Sequence, residues 1–124
     1  MKNKQKTIVF VIALLFVGSF NSCSKTYDLR LNTLEKSLNR LEQNYKSYTP
    51  EKLKSKIEEC EIRFDKLAQD KDKMSIAQKQ KLNELKREYY RILLEIYWNL
   101  VKSDISGTFT DVIEFLKDIL DDIL

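Results

Sequence analysis

A chain of 124 residues that is 43% hydrophobic and 33% charged, with two glycines and one proline, reads as one helical domain with no room for a long linker. The absence of histidine excludes His-based general bases and His metal sites, and two cysteines cannot build a cysteine-only zinc site. Three of the 22 basic residues, Lys2, Lys4 and Lys6, lie in a start that carries no acid, so residues 23–124 hold 19 charges of each sign. Nucleic-acid binding needs a basic surplus on one surface. Here the surplus belongs to the N-terminal segment, and no nucleic-acid partner is expected.

That segment has the layout of a secretory signal: a charged start, an unbroken apolar run from Ile8 to Val17, then Gly18-Ser19-Phe20-Asn21-Ser22 ending at Cys23. A run of ten apolar residues is too short to span a bilayer, which takes about 20. Cys23 follows a small residue, where a bacterial lipobox in its looser form places the cysteine that is acylated before cleavage. The expected organisation is a lipoprotein signal peptide over 1–22, a lipidated tether over 23–27 and a bundle domain over 28–124. Each buried methylene of the lipid contributes about 0.8 kcal/mol, and more than one chain gives stable attachment. The competing reading is ordinary secretion with Cys23 free or disulfide-bonded.

Periodicity orders the rest. Leu31, Leu34, Leu38, Leu41, Tyr45 and Tyr48 fall at 3-4-3-4-3 spacing and predict a helix over about 28–47. Thr49 as N-cap and Pro50 at the first helical position open a second helix, about 50–69, whose stripe is Leu53, Ile57, Cys60, Phe64 and Leu67. Cys60 is thereby a core residue, since a buried free thiol behaves as a small hydrophobe. The run Asp70-Lys71-Asp72-Lys73 reads as a solvated turn. Ser75 and Gln78 match a capping box that starts a third helix, through Leu82, Leu85, Tyr89, Ile92 and Ile96 to about Ser103.

From Tyr90 a second stripe, Tyr90, Leu93, Tyr97, Leu100 and Val101, widens that helix's apolar face. After Ser106-Gly107, Thr108 and Asp111 resemble another capping box, and Phe109, Val112, Leu116, Ile119 and Ile123 form a stripe with Ile113 and Leu120 beside it. This fourth helix should fold back on the widened half of the third. The expected fold is all-α, an antiparallel up-down bundle of three long helices and a shorter C-terminal amphipathic helix, with consecutive helices as neighbours and the third overhanging the first pair. Residues 108–124 carry a net charge of −4 and residues 23–107 a net +4, a contrast expected to help hold the last helix in place.

With the lipobox, the heptad helix and Asn44-Tyr45-Lys46-Ser47-Tyr48-Thr49-Pro50-Glu51 in view, the chain resembles a family of small Bacteroidota-type lipoproteins with a helical domain of unknown function. The charged turn with Lys79-Gln80-Lys81-Leu82 beyond it and the closing amphipathic helix extend the likeness over most of the chain. The resemblance implies no catalytic residues.

Glu58, Glu59 and Glu61 flank Cys60 on a helix and read as solvated charges rather than an acid/base pair or metal site. No cofactor, metal or catalytic residue is expected. Trp98 is the candidate for partner contact: it lies about 120° from Ile92 around the helix, outside both stripes and between Leu94, Arg91 and Lys102. The alternative is that it covers the bundle beside Leu94 and Val101. Two functional classes remain. One is a non-enzymatic binding or scaffolding module, lipid-anchored at the outer membrane and facing the periplasm or the exterior, with an envelope protein as partner. The other is a small periplasmic enzyme or enzyme inhibitor that uses an inter-helix groove. A monomer is expected, with a homo-oligomer as the competing outcome.

Overall fold

The computed structural model describes the backbone of residues 12–123 and the side chains of residues 25–123. The described residues are all-α, with four helices in the order α1 (Ile12–Asn44), α2 (Pro50–Gln69), α3 (Ile76–Ser103) and α4 (Thr110–Ile123), and 3-10 turns at Tyr45–Ser47 and Lys71–Lys73. The charged start to residue 11 lies outside the described residues, as do the side chains of the remainder of the predicted signal and of Cys23. Among the described residues, no helix is long and apolar enough to cross a membrane.

The starts of α2 and α3 follow the sequence closely. The Thr49 hydroxyl accepts from the Lys52 amide at 3.2 Å, and Pro50 opens α2. Ser75 and Gln78 form the reciprocal capping box: the Gln78 amide donates to Ser75 Oγ at 3.1 Å, and the Ser75 amide donates to Gln78 Oε1 at 2.9 Å. These contacts satisfy amides that the first helical turn otherwise leaves unpaired.

Two boundaries differ from expectation. α1 starts at Ile12 instead of near 28, and the stripe reaches back one step to Tyr27, which is buried. No glycine or proline lies between Ser19 and Thr49 to interrupt it. α4 starts at Thr110, and Thr108 and Asp111 do not form a capping box. Instead the Thr108 hydroxyl pairs with Ser106 Oγ at 2.6 Å, and Asp104 reaches across the loop to accept from the Phe109 amide at 3.1 Å. Gly107 has φ +77°, the left-handed conformation that lets the chain reverse here, and its carbonyl accepts from Thr110 Oγ1 at 2.8 Å.

A continuous core holds Tyr27, Leu31, Leu34, Leu38, Leu41 and Tyr45 of the first stripe, the whole predicted stripe of α2, and Leu82, Leu85, Tyr89, Ile92, Leu93, Ile96 and Leu100 of α3. Met74 seals the base. α1 packs against α2 and α3, and α4 packs against α3 and α2. α2 and α3 therefore stand across the core from each other, although they are consecutive. Phe64 stacks on Tyr89 between them with ring centroids 5.0 Å apart, and two rings in one layer hold the axes apart. The overhang of α3 is small, because Asn99 bonds to the Tyr45 hydroxyl and only one further turn follows.

α4 docks on the widened half of α3, as its stripe implied. Val112, Leu116 and Leu120 are buried at i, i+4 and i+8, with Phe109, Ile113, Phe115 and Ile119 partly buried around them. Ile123, at the frayed end of the stripe, is exposed. Charge does not hold this helix: among the described residues no ion pair joins α4 to its neighbours, and the polar contact is Lys54 Nζ lying 5.3 Å over the Phe115 ring.

Candidate functional site

The residues that flank Cys60 do not assemble a catalytic group. Cys60 is buried, and burial pushes its thiol up to about 11, away from the thiolate that nucleophilic chemistry requires. Glu59 lies in the shallow cleft between α1 and α2, whereas Glu61 points to the other side, beside the Tyr89 hydroxyl. No group of three or more Cys, Asp or Glu side chains that could hold a metal ion occurs among the described residues. Tyr89 is buried, its hydroxyl donates weakly to the Ile57 carbonyl at 3.4 Å, and desolvation together with the Glu61 carboxylate raises its pKa. That environment suits a packed core phenol.

The inter-helix clefts have a structural content of their own. One, of 460 Å³, opens between α1 and the start of α3 and is lined by Asp28, Asn32, Ser75, Gln78 and Lys81. Gln78 is engaged on both sides of it: Nε2 donates to Asp28 Oδ1 at 2.9 Å, and Oε1 is taken by the capping box. Gln78 thus joins α1 to α3, a role its place in the capping motif did not disclose.

Trp98 is 53% exposed, on the outer face of α3. It meets Tyr97 edge-on, with centroids 5.3 Å apart and the planes at 76°, and so covers part of the bundle with one edge while its remaining surface faces solvent. Leu94 and Val101, the residues it was expected to pack beside as cover, are themselves 40% and 44% exposed. Ile105, just past the helix end, is 97% exposed. Leu94, Trp98 and Val101 share the outer face of α3, and Ile105 follows just past its end, so together they form an apolar row that the other described residues leave open to solvent. The spacing was available in the sequence, but Leu94 and Ile105 belonged to neither core stripe.

Of the basic residues expected around Trp98, Arg91 is occupied. It pairs with Glu42 at 2.8 Å, with Glu95 at 3.4 Å and with Glu88, whose carboxyl its guanidinium holds below the usual range. Lys102 is exposed and forms no ion pair among the described residues. The stripe lies at the end of the bundle opposite the start of α1, because α1 and α3 run in the same direction. Its surroundings are suited to recognition by apolar contact around one aromatic anchor. No protein-family model matches the chain, and neither the curated proteins nor the solved structures give a significant match.

Proposed function

We propose that this chain is a lipid-anchored lipoprotein of the cell envelope, attached to the outer membrane through Cys23, whose helical domain is a non-enzymatic binding or scaffolding module. The observation that carries the binding role is the bare stripe Leu94, Trp98, Val101 and Ile105, since a small domain that buries its other large stripes seldom leaves such a row open without use. The anchor rests on the lipobox-like sequence ending at Cys23 and on the likeness to small Bacteroidota-type lipoproteins with a helical domain. The anchor position and the stripe lie at opposite ends of the bundle, which keeps the stripe clear of the attachment point. The expected partner is an envelope protein with an apolar pocket that takes an indole.

A photo-crosslinking amino acid at position 98, in cells of the source organism, tests this reading. A discrete adduct that disappears when Val101→Asp is added supports it. No adduct, or adducts indifferent to Val101→Asp, overturns it. Mass spectrometry of the membrane-derived chain tests the anchor separately: an unmodified Cys23 refutes it.

A further inference from the structure

Charge that cancels in the sequence of the mature chain does not cancel in space. The acids of α1, Asp28, Glu35 and Glu42, recur every seven residues and all turn toward α3, where they meet Gln78 at 2.9 Å, Lys81 at 3.0 Å and Arg91 at 2.8 Å. Arg30 and Arg40 of α1 lie on its other flank. They line the two clefts between α1 and α2, and exposed Lys36, one turn before Arg40, faces outward to solvent. α2 faces them with Lys56, Arg63 and Lys66, while its acids Glu58, Glu61 and Asp65 lie round the helix from this flank. Two acids remain on this face. Asp70 is spanned by Arg30 at 3.4 Å and Lys73 at 3.9 Å, and Glu59 sits beside Lys56. Arg63 and Lys66 form no ion pair among the described residues.

The lower cleft on this face, of 200 Å³, is lined by Leu29, Arg30, Thr33, Arg63, Lys66 and Leu67, a combination of guanidinium and ammonium groups with apolar surface in which Arg30 alone is paired, to Asp70. Leu29 is 67% exposed and stands six residues, about 9 Å, along α1 from Cys23. We infer that the α1–α2 face is a docking surface for the phosphate headgroups of anionic lipid, so that the bundle lies along the membrane instead of standing on its anchor. The inference rests on the lipoprotein reading for the nearness of a bilayer. Charge complementarity supplies the rest, because each Lys or Arg near an anionic leaflet contributes about 1 kcal/mol. The Trp98 stripe lies on α3's outer face, across the bundle from α2, and stays open when the α1–α2 face is down.

The test is thiol accessibility in the full chain as isolated from membranes, reconstituted into vesicles of phosphatidylcholine alone or with phosphatidylglycerol. Ser37→Cys places a thiol between Lys36 and Arg40, about 21 Å from Cys23 along the helix, and Asp118→Cys places one on the exposed side of α4. A water-soluble maleimide should modify Ser37→Cys at least about fivefold more slowly on anionic vesicles than on neutral ones, the factor equivalent to one base at the surface. Asp118→Cys should react equally on both. High salt, or the pair Arg63→Glu and Lys66→Glu, should restore the faster rate. Equal rates for Ser37→Cys on both vesicles, equal slowing on both, or protection by duplex DNA but not by anionic vesicles would overturn the proposal. Failure of the anchor reads out separately. Buried Cys60 is silent, so maleimide uptake by the unaltered chain reports a free Cys23, and the contrast between positions 37 and 118 is then measured with Cys23→Ser.

Discussion

Along the seam between α1 and α3, Asp28, Glu35, Glu42 and Tyr45 each meet a polar partner, Gln78, Lys81, Arg91 and Asn99, whereas α4 sits on α3 and α2 through Val112, Leu116 and Leu120. The first seam is pinned at four levels and cannot slide by a turn without separating every pair. The second is held by apolar area, with Lys54 over the Phe115 ring as its polar contact among the described residues. The difference separates register from stability: exposed pairs are each worth about 0–1 kcal/mol but specify alignment, while burial supplies most of the free energy and tolerates small shifts.

The largest disturbance should come from Tyr89→Ala, which removes the ring that spans α2 and α3 against Phe64. Loss of about 3–5 kcal/mol is expected, enough to unfold much of a small domain, and denaturant melts followed by circular dichroism would measure it. Leu116→Ala should cost about 2–5 kcal/mol. Its distinctive signature is regional: amide exchange should accelerate across α4 while the α1–α3 seam keeps its protection. Uniform acceleration would mean that α4 is as firmly integrated as the pinned seam. Alkaline pH should act next. The folded state keeps the Cys60 thiol neutral, so its contribution is complete below the ordinary value of 9 and is lost as pH rises from there through about 11, with the raised Tyr89 phenol acting in the same sense. Cys60→Ala should flatten the decline in melting temperature over that range. The smallest change is expected for Glu35→Gln, about 0–1 kcal/mol and less in high salt, because its partner Lys81 is partly exposed.

Legibility in the sequence followed the strength of local physics. The bounds of α2 were readable because Thr-Pro and a strict 4-3-4-3 stripe agree, and α3 began where Ser75 and Gln78 said it should. The start of α4 was not, since Asp104 lies outside any local capping pattern and only the folded loop brings it to the Phe109 amide. The diagonal placement of α2 and α3 was hidden too, as it depends on how large rings share one layer. Among the candidate residues, Trp98 was singled out by its angle, but the row it belongs to was not, because Leu94 and Ile105 match no core position. The basic face escaped for a different reason. A count of charges sums over directions, and the heptad recurrence of Asp28, Glu35 and Glu42 gains meaning only once α3 lies beside it.

α1 and α3 run parallel, and α1 continues without a break from Ile12 into the bundle. Tension applied between the start of α1 and the Trp98 row near the end of α3 would therefore pull the two helices lengthwise in opposite directions. That load is shared among all four polar levels and the Leu layers between them at once, in shear, instead of peeling them apart one after another. A hairpin of antiparallel helices held at the same two chain positions would open from one end like a zipper. The parallel pairing makes this small domain a stiff mechanical link between whatever holds its first helix and whatever grips its third.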